Sequence, residues 1–146
     1  MPNFHSYSKL ALLSILLALV SVSCASNKVQ ECQKIIEITV RATDQVKELS
    51  NNGKTQDLKE ALEATDAMDK AAQDMESLII QDEQLQEYQA GFAKTYRGSS
   101  QYTRDFIAEL KNKNFQAAKS VQTKMQEVGA EQEKLVNSIN KYCQPE

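Results

Sequence analysis

A seam of side chains along residues 85–106 constrains the fold more than any other feature of the sequence. Its members recur after three and four residues in alternation: Leu85, Tyr88, Phe92, Thr95, Ser99, Tyr102 and Phe106. That spacing places all of them on one face of a single long helix. Because a lone helix has nothing to bury such a face against, other helices of the chain must cover it.

Three further segments repeat the same alternation. The first stripe comprises Val29, Cys32, Ile36, Thr39, Thr43, Val46 and Ser50, widened by Ile35, Val40 and Leu49. The second comprises Leu58, Ala61, Thr65, Met68, Ala72, Met75 and Ile79, and the last comprises Ala118, Val121, Met125, Val128, Gln132, Leu135, Ile139 and Tyr142. Short connections favour antiparallel neighbours. The sequence therefore predicts an all-α fold, an antiparallel up-down-up-down four-helix bundle, with helices at about 28–50, 55–80, 82–110 and 114–143.

Residues between the stripes predict where the helices begin and end. The run Asn51-Asn52-Gly53 should end the first helix, since Asn and Gly tolerate left-handed backbone. Thr55 is expected to cap the second helix. A tight turn at 80–82, with Asp82 as the next cap, separates the second and third helices; a continuous, bent helix is the alternative. Phe115 is expected to plug the end of the core.

The N-terminal segment differs in composition from the rest of the chain. Residues 10–22 carry no charge, Lys9 precedes them, and small residues follow at 23–26. This pattern is typical of a secretory signal, and the apolar run of 13 residues is shorter than the ~20 needed to span a bilayer. We therefore predict a signal peptide at 1–23, a short tether at 24–27 and the bundle at 28–144. The expected location is extracytoplasmic, in a periplasm or thylakoid lumen.

Cys24 lies directly after this apolar run. Its setting resembles the lipobox of bacterial lipoproteins, in which such a cysteine is lipidated and becomes the first mature residue. Ser23 fits that pattern, whereas Ser21 stands where the family prefers Leu. The resemblance implies a membrane anchor through Cys24. The alternative is ordinary cleavage after Ala25, which would remove Cys24 and leave a soluble periplasmic or secreted protein.

Cys32 and Cys143 are the two cysteines of the bundle region. An exported protein with two cysteines is expected to pair them. In an up-down-up-down bundle the first helix starts, and the fourth helix ends, at the same end of the molecule. An even number of helices therefore brings these thiols together, and the sequence predicts a disulfide between them.

Composition argues against several classes of function. The net charge of -3 lacks the basic surplus of a nucleic-acid-binding protein. The single histidine, His5, lies in the predicted signal segment, and paired cysteines offer neither a nucleophile nor a metal ligand. We therefore predict no catalytic residue, cofactor or metal site. A weakly specified cation site at Asp82, Glu83 and Glu87 is the alternative.

Charge is distributed unevenly along the chain. Residues 57–87 hold ten acidic and two basic side chains, whereas residues 94–124 hold seven basic and two acidic ones. One interpretation is mutual compensation between neighbouring helices. The other is a two-signed surface that orients a partner protein, formed by Lys94, Arg97, Arg104, Asp66 and Asp69.

Small and hydroxylated residues in the stripes also admit two interpretations. Gly91 and Gly98 lie seven residues apart and so on the same side of the third helix, where they permit close helix packing or form a groove for a flat ligand or partner. The mid-seam hydroxyls are Thr39, Thr43, Thr65, Thr95 and Ser99. They bond to carbonyls of their own helices, or they line a small ligand cavity.

Two motifs give residues 28–144 a resemblance to known proteins. They are Ile80-Gln-Asp-Glu-Gln-Leu85 with Tyr88 and Phe92, and Glu133-x-Leu-Val-x-x-Ile-Asn-x-Tyr-Cys143. With them the chain resembles a group of small exported proteins of cyanobacteria, which implies no catalytic residues. In architecture it is also similar to lumenal extrinsic subunits of photosystem II, an analogy of fold alone.

These observations together predict a non-enzymatic interaction or structural module that is anchored to a membrane and binds an unknown protein partner. The alternative is a carrier of a small ligand or metal in the periplasm or thylakoid lumen.

Overall fold

The computed structural model describes the backbone of residues 7–52, 54 and 57–144, and their side chains from residue 27 onwards. Its helices are α1 (Tyr7–Leu49), α2 (Leu58–Glu76), α3 (Glu83–Lys111) and α4 (Phe115–Tyr142), and the described residues contain no strand. α1 packs mainly on α2, α2 on α3, and α3 on α4. The predicted all-α four-helix bundle is therefore confirmed.

Ion pairs between α2 and α3 show that these neighbours are antiparallel. Arg97 Nη2 lies 2.5 Å from Glu76 Oε2, and Arg104 Nη1 lies 2.8 Å from Asp69 Oδ2. Residue numbers thus rise along α3 as they fall along α2. We call the end that carries Cys32, Cys143 and the 77–82 linker the disulfide end. The opposite end, which carries the turns near 51 and 113, is the distal end.

The hydrophobic core lies toward the disulfide end. Its most deeply buried apolar side chains, each at most 2% exposed, are Ile35, Ala72, Met75, Leu85, Phe92 and Ile139. All four helices contribute to this set. Burial of each large apolar side chain stabilises the fold by about 1.5–3 kcal/mol.

α1 differs from the prediction at its N-terminus but not at its C-terminus. Its helical backbone starts at Tyr7 rather than at residue 28, and so includes residues 7–27 of the segments predicted as signal and tether. It ends at Leu49, and Asn51 and Asn52 follow with φ of 47° and 57°. The predicted left-handed termination is therefore confirmed at both asparagines; Gly53 lies outside the described residues.

α2 is shorter than the predicted 55–80. Its N-cap is Asp57, whose carboxylate accepts a backbone N–H of the first turn at 2.8 Å; Thr55, the expected cap, lies outside the described residues. The helix ends at Glu76, because residues 78–81 form an irregular linker. Asp82 then caps α3 by accepting the Leu85 N–H at 3.0 Å, as predicted. The continuous, bent helix is thereby excluded.

Five residues assigned to the core face solvent instead, four of them assigned from their spacing and Phe115 as the residue that closes its end. Their exposed fractions are 51% for Val29, 54% for Val40, 41% for Leu58, 82% for Ile79 and 69% for Phe115. Ile79 is displaced because the linker is not helical, and its neighbour Ile80, 7% exposed, enters the core instead. Phe115 is the first residue of α4 and lies at the distal end, so it does not plug the core.

The buried face of α1 is rotated from its predicted position. Ile38 and Ala42, which the predicted stripe omits, are 6% and 3% exposed. They are buried because α1 packs mainly on α2, which draws the core face of α1 toward that helix. The side of α1 that carries Val29, Ile36 and Val40 is left partly uncovered.

Candidate functional site

The disulfide joins the first and last helices of the bundle. Cys32 and Cys143 are bonded with a Cα–Cα distance of 5.9 Å across a sequence separation of 111 residues. Cys32 is 3% exposed, and Cys143 is the C-cap of α4. The predicted disulfide is confirmed, and it holds α1 against the C-terminus of α4.

Glu31, next to the disulfide, binds the linker between α2 and α3. Its two carboxylate oxygens accept the backbone N–H groups of Gln81 and Asp82, both at 3.1 Å. Glu31 itself is 7% exposed, so these charge-assisted hydrogen bonds are partly buried. Sequence reasoning missed this role. The only available signal was an acidic residue beside Cys32 on an otherwise apolar face.

Asp82 connects this linker to α4. The hydroxyl of Tyr142 donates to both Asp82 oxygens, at 2.9 and 3.1 Å. The Tyr142 ring lies 5.9 Å from that of Tyr88 and carries the Lys28 ammonium 3.9 Å from its centroid. Partial burial and the hydrogen bond to Asp82 raise the pKa of Tyr142. The disulfide end is therefore a polar and aromatic junction of α1, the linker between α2 and α3, α3 and α4.

The alternative cation site is not assembled at this junction. Asp82 uses its oxygens for the α3 cap and for Tyr142, and Glu87 accepts a hydrogen bond from Gln84 at 2.9 Å. Within the described part of the chain, no three His, Cys, Asp or Glu side chains are grouped to hold a metal ion. His5 lies outside the described residues.

The charged residues of the predicted partner surface bind one another or their neighbours. Arg104 pairs with Asp66 at 2.7 Å and with Asp69 at 2.8 Å, and it also donates to Ser100. Lys94 pairs with Glu131 at 3.2 Å. These contacts match the interpretation that α2, α3 and α4 compensate one another's charge.

Arg97, the remaining basic residue of the predicted partner surface, forms a bidentate pair with Glu76. Its Nε lies 2.8 Å from Oε1 and its Nη2 lies 2.5 Å from Oε2. The Arg97 hydrogen bonds lower the pKa of Glu76. Burial alone would raise the pKa of Asp69, but hydrogen bonds from Ser100 and Arg104 outweigh it and leave that pKa lowered. Arginine side chains thus favour the charged forms of Glu76 and Asp69.

The two glycines of α3 lie against α4. A Cβ atom at Gly91 would stand 2.9 Å from Leu135 Cδ2, and one at Gly98 would stand 3.3 Å from Val128 Cγ2. The glycines therefore allow α4 to approach α3 closely, and the space in front of them is filled by these side chains. This geometry corresponds to helix packing rather than to an open groove.

The seam hydroxyls serve mainly their own helices. Each of these bonds runs from a hydroxyl to a backbone carbonyl three or four residues earlier: Thr39 to Ile35 at 3.0 Å, Thr43 to Thr39 at 2.8 Å, Thr65 to Leu62 at 2.6 Å and Thr95 to Phe92 at 2.9 Å. Four of the five hydroxyls therefore follow the local hydrogen-bonding interpretation.

The uncovered side of α1 is the surface that sequence reasoning missed. Val29 and Val40 are 51% and 54% exposed, and Ile36 between them is half-buried. A shallow concavity of about 700 Å³ along this side is bounded by α1 alone. We call Val29, Ile36 and Val40 the α1 stripe. The sequence contains it, but only the packing of α1 distinguishes it from the core.

The membrane-related predictions concern residues 1–27, of which the structure describes mainly the backbone from Tyr7 onwards. The helical backbone of α1 includes Cys24, whose side chain lies outside the described residues. Where residues are described, no helix has a stretch both long and apolar enough to cross a bilayer. Comparison with protein-family models, with curated proteins and with solved structures finds no match to this chain.

Proposed function

We propose that the protein is exported, is held at a membrane by a lipid on Cys24, and acts there as a non-enzymatic interaction module. The observation that carries this proposal is the Cys32–Cys143 disulfide. Disulfides persist in oxidising compartments and are rare in the cytosol. An uncharged run at 10–22 directly before Cys24 supplies the matching export signal.

A lipid on Cys24 would orient the bundle relative to the membrane. Cys24 precedes Cys32 by eight residues on the same helix, which corresponds to about 12 Å along the axis. The disulfide end would then face the lipid, and the distal end would project away from it. A helical connection of this length would transmit the orientation of the anchor to the bundle.

The α1 stripe supports a binding role more directly than the charges of α2 and α3. Those charges are largely neutralised within the molecule. The stripe, in contrast, presents Val29 and Val40 to solvent. The charged side chains that line the same concavity are Glu37, Asp44, Glu48 and Arg41, and Arg41 is paired with Asp74 of α2. The lining is therefore acidic on balance. The proposed partner is therefore a protein helix with an apolar face and basic flanks, since opposite charges favour correct docking.

The anchor is tested by fractionating cells that make the protein and measuring the intact mass of the purified product. We expect the wild-type protein in the membrane fraction, with a mass that begins at Cys24 and includes lipid. Cys24→Ser should lose both properties, whereas Ser26→Ala, a matched change in the same segment, should keep them. A wild-type product that begins at Ser26 and is soluble would support ordinary cleavage and contradict the anchor.

The binding surface is tested by placing a photo-crosslinking amino acid at Val40 in the native membrane. We expect one defined protein adduct from this position. The matched control is the same amino acid at Lys119, an exposed position of α4, which should give no such adduct. Equal labelling from both positions, or no adduct from Val40, would contradict a docking role for the α1 stripe.

A further inference from the structure

A cavity of about 180 Å³, partly open to solvent, lies between the helices, midway between the disulfide end and the distal end. All four helices contribute side chains to its lining. Its apolar wall is formed by Ala42 and Val46 of α1 and by Met68 of α2. Tyr96 of α3, Gln132 of α4 and Lys47 of α1 supply polar groups. A space with an apolar wall and a few polar groups is typical of a small-molecule site.

Tyr96 is the buried polar group of this cavity. The residue is 3% exposed, and its hydroxyl has no hydrogen-bond partner among the described residues. Burial raises the pKa of Tyr96. The Thr39 side chain lies close to the Tyr96 hydroxyl but outside hydrogen-bonding geometry, and it opposes this rise without reversing it. The hydroxyl is therefore protonated at neutral pH and available as a donor. Most buried polar groups in folded proteins are paired, so this one calls for an acceptor.

Lys47 gives the cavity its charge. It is the one charged residue among those that line the cavity, and its side chain is exposed. Within the described part of the chain no carboxylate forms an ion pair with it, whereas Arg41, on the same helix, pairs with Asp74 at 2.7 Å. A ligand that enters past Lys47 is therefore favoured if it carries a negative charge.

The volume limits the size of the ligand. An apolar cavity of about 150 Å³ accommodates benzene, so about 180 Å³ suits a molecule of about eight non-hydrogen atoms.

We propose that this cavity binds a small amphipathic carboxylate, such as a short-chain or monocyclic acid. Its carboxylate accepts a hydrogen bond from Tyr96 Oη and pairs with Lys47, and its apolar part lies against Ala42, Val46 and Met68. This inference is independent of the lipid anchor and of the α1 stripe, because it concerns the interior of the bundle.

The test is a titration of the ¹⁵N-labelled full chain at neutral pH, followed by amide chemical shifts. The probe is hexanoate, which has the required size, and 1-hexanol is the uncharged probe of equal length. We expect saturable shifts at Ala42, Thr43 and Met68 with a Kd of about 1 mM for hexanoate. Hexanol should bind about fivefold or more weakly, because it cannot pair with Lys47.

Two variants assign the polar contacts. Lys47→Gln changes an exposed side chain, so the fold should persist while hexanoate affinity falls to that of hexanol. Tyr96→Phe should weaken both probes, because both can accept from the hydroxyl. No saturable shift with either probe, at up to about ten times the expected Kd, would overturn the site. Equal hexanoate affinity in wild-type protein and Lys47→Gln would overturn the assignment of an anionic ligand.

Discussion

The disulfide end and the distal end of the bundle are built from similar helices but bury their apolar residues to different extents. Leu85 and Phe92, near the disulfide end, are fully buried. At the distal end Leu58, Leu110 and Phe115 are 41%, 37% and 69% exposed. A shared pattern of three- and four-residue spacing therefore does not produce equal burial.

The difference arises from the length of α1 beyond the disulfide. α1 ends at Leu49, beside Asp66 and Ala67 of α2. The first two turns of α2 and the adjoining parts of α3 and α4 lie beyond that point. Only three of the described helices remain there. Ile107 and Ala118 are still buried, but the larger rings of Tyr102 and Phe106 are only half-covered. A four-helix core requires all four helices at the same level.

Loss of the disulfide should have the largest effect on stability. Reduction, or the paired change Cys32→Ser with Cys143→Ser, should lower the free energy of unfolding by about 4–5 kcal/mol, because a closed loop of this length restricts the unfolded chain. Urea denaturation with and without reductant measures the loss. Amide exchange should show the disulfide end losing its protection advantage over the distal end. A loss below about 1 kcal/mol would contradict a dominant role for the disulfide.

Two phenylalanines of α3, one near each end of the bundle, allow the packing of the disulfide end and the distal end to be compared. Phe92→Ala removes a fully buried ring and should cost about 4 kcal/mol. Phe106→Ala removes a half-buried ring and should cost about 2 kcal/mol. Urea denaturation of both variants gives the comparison. Equal costs would show that the distal end is as well packed as the disulfide end.

Glu31 should support the disulfide end by holding the linker. Glu31→Gln leaves one acceptor oxygen for two partly buried N–H groups, and should therefore cost about 1–2 kcal/mol. Glu37→Gln is the matched control, since that side chain is exposed on the same helix. Thermal denaturation of both variants measures the difference. A loss in the control as large as that in Glu31→Gln would indicate a general effect of charge.

Two glycine substitutions compare a packed position with an open one. Gly129→Ala should raise the free energy of unfolding by about 0.5–1 kcal/mol, because alanine favours the helix and a Cβ meets nothing within 4 Å. Gly91→Ala should instead lower it by about 1 kcal/mol, because Leu135 must move. Denaturant midpoints measure both. A higher free energy of unfolding for Gly91→Ala would mean that Leu135 of α4 moves at little cost.

The smallest effects concern pH. The pKa of Asp69 in the folded protein is lowered below its ordinary 3.8, so its stabilising contribution is full above that value and is lost as pH falls through the folded pKa. The pKa of Tyr142 is raised above 10.0, so its contribution is full below pH 10.0 and is lost as pH rises further.

The urea midpoint measured as a function of pH should therefore fall at acid pH through Asp69 and at alkaline pH through Tyr142. The acid loss should shrink in Arg104→Gln, which removes the partner of Asp69, and the alkaline loss should shrink in Tyr142→Phe. If either variant retained the full wild-type pH dependence, the assigned pair would not be its source.

Residue spacing was sufficient to predict the four helices, their antiparallel order and the disulfide, because these depend on local periodicity and on the parity of helix number. Capping chemistry was sufficient at Asp82, where an acidic side chain meets the first turn of α3. Residue spacing predicted burial of Ile79 wrongly, because residues 78–81 are not helical and so do not continue the repeat of three and four residues. The hydrogen bond from the Gln81 N–H to Glu31 was not predictable, because it joins residues that are 50 positions apart in the sequence.

The sequence by itself determined that this chain forms amphipathic helices, that they share an interior and that their outer members are joined by a disulfide. Only the tertiary structure decided which apolar residues are buried. Val40 and Ile35 are both apolar members of α1, yet one is 54% exposed and the other is fully buried. The physical reason is that burial depends on a neighbouring helix at the same level and side, which periodicity within one helix does not contain.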